Sequence, residues 1–267
     1  MSGSSSSAAY FIDTHCHFDF PPFSGAEVAS LTLAAQANVR QIIVPAVEAE
    51  YFDRIQALAH DYPALFAALG MHPLYIDRHQ APHLTLLEQR LAKRSPKVVA
   101  VGEIGLDLYM ENPQFSRQLA LLQAQLKLAR QYDLPVILHS RRTHDQLAGA
   151  LRKADLPRTG VVHGFAGSLV QAQAFIKLGY YIGVGGTISY ERAQKTRKVM
   201  TELPLEALLL ETDAPDMPLA GFQGQPNRPE RAADVFTVLC ALRSEPADVI
   251  AQQLYANSVR LFNLPPA

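Results

Sequence analysis

The chain has 267 residues and a formal net charge of −1, so it lacks the overall basic footprint of a general nucleic-acid binder, although bound cations would supply positive charge locally. Hydrophobic residues make up 48% of it, enough for one large core, and the length is close to the roughly 250 residues of a (β/α)8 barrel. Two widely separated cysteines, Cys16 and Cys240, exclude a disulfide framework and fit a reducing, cytoplasmic setting. No apolar run is long enough to cross a bilayer, so no membrane is expected, and no obligate protein partner is evident.

Residues 1–9 read as a Ser-rich tail without the charged start and apolar run of a secretory signal; residues 10–267 read as one domain. The first predicted strand is "YFIDTHCH". Side chains alternate along a strand, so His15 and His17 share a face while Cys16 points away, toward an outer helix. The helical pattern "EVASLTLAAQANV" leads to the strand "RQIIVPAV", and "EYFDRIQALAHDY" leads to "LFAALGMHP", which ends at His72. The helix "HLTLLEQRLAKR" precedes "KVVAVGEIGLD", with Glu103 and Asp107. In "FSRQLALLQAQLKLARQY", Leu119, Leu122, Leu126 and Ala129 follow the helical period, and the strand after it, "LPVILHSR", carries His139 and Arg141. Three more helix–strand pairs give "GVVHGFAG" with His163, then "YYIGVGG", then "EALLLETDAP" with Glu211 and Asp213. Two further helical stretches follow a Pro- and Gly-rich loop. Eight βα units with short links predict an α/β fold, a single-domain (β/α)8 TIM-like barrel. An open doubly wound sheet would need a Gly-rich phosphate turn after its first strand, and none is there.

In such a barrel the chemistry sits at the carboxyl ends of the strands. Metal-type side chains end five of the eight predicted strands, and His72 ends a sixth. Of nine histidines, five lie at these ends, while His60, His79, His83 and His144 fall in helices or loops and read as exposed polar residues. Burying several imidazoles with several carboxylates is costly without compensation, and a divalent cation provides it. The N/O donor set suits zinc, manganese, nickel or a similar ion. Six ligands, His15, His17, Glu103, His139, His163 and Asp213, exceed one tetrahedral site and fit two ions about 3.5–4 Å apart bridged by one carboxylate. Glu103 is the natural bridge. Neighbouring strands pair His15, His17 and Asp213 on one ion and His139 with His163 on the other.

Two ions around a bridging hydroxide suit hydrolysis of a phosphoester or an amide, with Asp213 accepting the proton. Arg141 either holds a substrate phosphate bidentately or is a solvent-facing arginine. His72 is a substrate contact or supports a ligand. Glu211 reads as support for a ligand. Asp19 and Asp107 either orient a ligand or cap a turn.

The motifs "DTHCHFD", "GMHP", "GEIGLD", "PVILHSR", "VVHGFAGS" and "LLLETDAP" resemble those of the TatD-related hydrolases of the amidohydrolase superfamily, in the same order and over nearly the whole chain. The segment after the eighth strand looks closest to the YjjV subgroup. The resemblance implies a TIM-like barrel and a phosphodiesterase or deoxyribonuclease that uses two divalent ions (Zn, Mn, Mg, Ni or Co) on DNA or a small phosphoester. By motif position it implies the same six ligands with Glu103 bridging. One departure is "PNRPE", with Asn227, Arg228 and Pro229, where many relatives have "RNEP". Two other readings compete. An amidohydrolase acting on a small amide, lactone or ester could use the same site, although strand four offers Glu103 where such enzymes often carry a bridging lysine. A non-catalytic metal or nucleic-acid binder would need no such complete ligand set.

Overall fold

The structure, a computed structural model, describes residues 9–267; most of the predicted tail lies outside them. Eight strands run in the order β1 (Phe11–Asp13), β2 (Val39–Pro45), β3 (Leu65–Leu69), β4 (Val98–Asp107), β5 (Val136–Arg141), β6 (Gly160–Val162), β7 (Tyr181–Val184) and β8 (Leu208–Leu210). All neighbours pair in parallel in sequence order. Between them lie the helices α1 (Glu27–Gln36), α2 (Phe52–Asp61), α3 (Ala81–Ala92), α4 (Phe115–Gln131), α5 (His144–Ala154), α6 (Leu169–Lys177) and α7 (Gln194–Glu202). Two more, α8 (Ala232–Leu242) and α9 (Ala247–Phe262), follow β8. This is the single-domain (β/α)8 barrel that the alternation of apolar runs and helical patterns predicts.

Alternation sorts each strand's side chains between two cores. In β2, Ile42 and Val44 pack in the layer shared with the helices, whereas Ile43 belongs to a smaller cluster. That smaller cluster also holds Ile12, Phe66, Ala68, Ile137, Val161 and Leu209, closed off by Leu261, Phe262 and Leu264 around the end of α9. It is the barrel interior. Continuing the period of two from Ile137 reaches His139, from Val161 reaches His163, and from Leu209 reaches Glu211 and then Asp213. In β4, Ile104 and Leu106 sit in the helix layer, so Glu103 and Asp107 face inward.

The first strand is shorter than expected, ending at Asp13 rather than running through His17. Past that point Cys16 N–H still donates to Ile43 O at 3.1 Å, and new bonds join the segment after β8: Thr14 N–H donates to Leu210 O at 3.1 Å, Asp213 N–H to His15 O at 2.8 Å and His17 N–H to Ala214 O at 2.8 Å. These bonds draw the first and last strands together at the carboxyl ends. Cys16 forms a parallel bridge with Ala214 and is fully buried in the helix-side core, pointing away from the two histidines as alternation requires. Gly105, at φ +150°, lies where β4 meets β5; a Cβ there would run into the His139 backbone carbonyl.

Candidate metal centre

Glu103 is 1% exposed and lies at the middle of five imidazoles. Its Oε1 is 3.0 Å from His15 Nε2 and 3.4 Å from His17 Nε2. Its Oε2 is 2.7 Å from His163 Nε2, 3.1 Å from His72 Nε2 and 3.3 Å from His139 Nδ1. Asp213 Oδ1 closes the cluster at 3.4 Å from both His15 and His17. The His15 and His163 rings stack with centroids 3.7 Å apart. Asp213 sits at φ +60°, in the left-handed region that aspartate tolerates better than most residues. The peptides entering Glu103 and following Ala214 are cis.

The tautomers follow from the outer contacts. His139 Nε2 lies 2.6 Å from Asp107 Oδ2, so Nε2–H donates there and Nδ1 turns its lone pair toward Glu103. His163 Nδ1 lies 3.5 Å from Glu211 Oε1 without a hydrogen bond, and its Nε2 lies 2.7 Å from Glu103 Oε2. His72 is the opposite case: its Nδ1 accepts the Leu74 N–H at 3.0 Å, so Nε2 carries the hydrogen and donates to Glu103.

A neutral His139 thus points a lone pair at a carboxylate oxygen with no proton between them, amid three more imidazoles whose Nε2 atoms crowd the same carboxylate. Protonating every ring would instead bury a crowd of cations. A divalent ion resolves the conflict, since neutral imidazole and carboxylate are its ordinary ligands. Three triads have ligand atoms within 4.8 Å of one another: His15, His163 and Asp213; His15, His17 and Glu103; and His72, Glu103 and His139. The donor set fits a metal. The expected pairing of His139 with His163 differs from these groupings, which put His163 with His15 and Asp213.

The electrostatics describe the same frustration. Burial alone would raise the Glu103 carboxyl, yet His163, His72 and His15 hold it well below the usual carboxylate range. Burial opposes charge on His17, but Asp213 and Glu103 push its pKa up to about 10. For His72 burial wins, taking it down to about 4 against the pull of Glu103.

The profile of the TatD-related DNase family matches residues 12–263. The chain belongs to that family. A metal-dependent hydrolase of Escherichia coli K12, YjjV, is 68% identical over 255 residues, covering 96% of this chain and 98% of the relative. The crystal structure of E. coli YjjV superposes with a TM-score of 0.95 at 67% identity, over 96% of this chain and 99% of that one. A relative in Erwinia billingiae, named a 3'-5' ssDNA/RNA exonuclease, is 32% identical over 240 residues, 87% of this chain and 91% of its own length. This chain is therefore a TatD-family metal-dependent hydrolase.

The remaining expected residues find varied places in this TatD-family barrel. Asp107 orients His139, and its Oδ1 also accepts the Tyr109 N–H at 2.7 Å. Glu211 lies beside His163 Nδ1 and accepts the Gly164 N–H; Gly183 is bare beside it, where a Cβ would strike Glu211 Oε2. Asp19 is buried with neither oxygen hydrogen-bonded among the described residues, and burial raises its pKa. Arg141 is exposed at the rim, its guanidinium over the Tyr109 ring. In the "PNRPE" segment, Asn227 donates to Thr212 O and Met217 O. Arg228 turns to Glu230 and Ser30, so both residues brace the loop after β8.

Three histidines correct the reading of exposed polar residues; the first, His83, is half-buried, with Nδ1 accepting the Gln80 N–H at 3.1 Å. His79 is buried, with Nε2 2.7 Å from His72 O, because the turn Pro73–Tyr75 folds the chain back on itself. His144 is half-buried, stacked on Phe165 and 2.7 Å from Ser140 Oγ. Sequence reasoning also missed Asp13. Its carboxylate accepts His15 N–H, Thr212 N–H and Thr212 Oγ1–H at 3.2, 3.0 and 2.6 Å, tying the two ligand-bearing loops together. Its place two residues before His15 was the one available signal.

Proposed function

We propose that this TatD-family hydrolase is a phosphodiesterase that cuts single-stranded nucleic acid from an end, DNA foremost. The observation that carries the reading is Glu103 within 3.4 Å of five imidazole nitrogens, a cluster whose lone pairs call for cations. The names of relatives such as the Erwinia exonuclease support the substrate class. His15, His17, His139, His163 and Asp213 would hold two divalent ions, with Glu103 shared between them. Zinc, manganese, magnesium, nickel and cobalt all accept such ligands. Bound there, the ions would polarise a phosphoryl oxygen and acidify water.

The chain's own groups divide the remaining work. Asp213, whose side chain is 21% exposed against 2% for Glu103, is the carboxylate open to the mouth, and one of its oxygens takes the proton of the attacking water. Asp107 holds His139 in the tautomer that leaves its Nδ1 lone pair inward, and Glu211 lies beside His163 Nδ1. His72 donates to Glu103 and fixes that carboxylate. Arg141, on the rim two residues past His139, neutralises phosphate charge.

The test is incubation of metal-loaded protein with end-labelled single-stranded DNA. Wild type should shorten the strand, while Glu103→Ala and Asp213→Ala should leave it intact; cleavage by either variant at the wild-type rate refutes the reading. A panel of amides, lactones and esters run alongside separates the amidohydrolase alternative.

A further inference from the structure

Two cations at the barrel mouth share one aromatic ring. The Arg141 guanidinium carbon lies 3.9 Å from the Tyr109 ring centroid, and that of Arg142 lies 4.3 Å from the same centroid. All three side chains are exposed. Elsewhere in the fold, arginines such as Arg90, Arg228 and Arg243 are paired with carboxylates. Among the described residues, neither Arg141 nor Arg142 forms an ion pair or a side-chain hydrogen bond with a protein group.

The arrangement is built by the backbone. Leu108 N–H donates to Arg141 O at 3.0 Å, and Asp107 pairs with Arg141 in the β4–β5 register, which brings Tyr109 over the end of β5. Arg142 has φ +57°, a left-handed conformation that is unfavourable for a non-glycine residue and persists only where its surroundings impose it. The Asp107 carboxylate holds His139 through one oxygen and the Tyr109 N–H through the other. The rim and the metal centre therefore share a single anchor. Arg141 lies two strand residues beyond His139, about 6.6 Å.

We propose that Tyr109, Arg141 and Arg142 form a subsite for the phosphate of the nucleotide next to the one being cut. Stacking on the ring orders both guanidinium groups before binding, which reduces the entropy lost on binding. Their free N–H edges then offer the planar fork that fits phosphate oxygens. The inference rests on the phosphodiesterase reading, because it takes the reacting phosphate to lie at Glu103.

Fluorescence anisotropy of a fluorescein-labelled single-stranded DNA oligonucleotide with cleavage-resistant phosphorothioate linkages tests it, with the metal-loaded full chain, across a salt series. Loss of one phosphate contact from a single strand should flatten the log–log salt slope by about 0.7. R141Q/R142Q should show that flattening together with about tenfold weaker binding at low salt. Y109L should fall between wild type and the double variant. The control R152Q/K153Q removes the same charge from the last turn of α5 and should bind close to wild type. Wild-type affinity and slope in R141Q/R142Q, equal weakening in R152Q/K153Q, or no binding by wild type would each overturn the subsite. If wild type binds with the expected dependence on Arg141 and Arg142 yet leaves an unmodified strand intact, the phosphodiesterase reading fails and the phosphate subsite stands.

Discussion

His72 donates from Nε2 to Glu103 Oε2 at 3.1 Å while its Nδ1 accepts the Leu74 N–H at 3.0 Å. A neutral imidazole has one N–H and one lone pair, and the backbone of Leu74 has already claimed the lone pair. Proximity alone would group His72 with the metal ligands, but its hydrogen separates it from them. His72→Phe should therefore keep its metal content, read by elemental analysis, and lose about 10–100-fold in activity, the usual cost of removing a group that orients a ligand. His72→Gln, with an amide N–H in place of the imidazole N–H, should recover part of the loss. Metal loss in His72→Phe comparable to that in His139→Ala would make His72 a ligand.

Asp107 plays the complementary part. Its hydrogen bond at 2.6 Å fixes the N–H of His139 on Nε2. Without it the ring is free to flip or to exchange tautomers, and the inward lone pair is no longer assured. Asp107→Ala should weaken metal binding by about 10–100-fold in a competition titration against a chromophoric chelator. Unchanged affinity would show that packing alone orients His139.

Thr212 locks the seam between the first and last strands through its hydroxyl, which donates to Asp13 at 2.6 Å. Asp13 is fully buried, and burial pushes its pKa up to about 8 despite hydrogen bonds from Thr212 and His15. Thr212→Val keeps the side-chain shape but removes one donor to the buried Asp13 carboxyl and the acceptor of the Ala214 N–H. Leaving a buried polar group unsatisfied costs about 1–3 kcal/mol, and urea unfolding should show a loss of that size. A loss well below 1 kcal/mol would mean that the two backbone N–H bonds suffice.

The barrel was legible because its strands are near-continuous apolar runs and its helices keep their period. The inward facing of the candidate ligands was legible for the same reason: Ile137, Val161 and Leu209 set the inward face, and His139, His163 and Asp213 continue it. What one strand's pattern cannot show is the contact between distant strands. The partners of Asp13 and Glu211 depend on which loops meet at the mouth, and so does the grouping of His163 with His15. The burial of His79 depends on a turn that reverses the chain after His72. Tyr109 gave no sequence signal, because its importance lies in two arginines brought to it by the pairing of β4 with β5.

Removing the metal should cost stability as well as activity. The cluster places His15, His17 and His163 with Nδ1 atoms that make no hydrogen bond among the described residues, and packs their Nε2 atoms against Glu103. An ion bound only by the folded state stabilises it by about 4 kcal/mol when present at 1,000 times its dissociation constant. Chelated protein should therefore melt at a lower temperature in scanning calorimetry, and restoring the ion should reverse the shift. Glu103→Ala removes the carboxylate between the imidazoles and should lose most of the metal-dependent shift. If chelation leaves the wild-type melting temperature unchanged while abolishing activity, the cluster must be held by its own proton network, and the cation serves the chemistry alone.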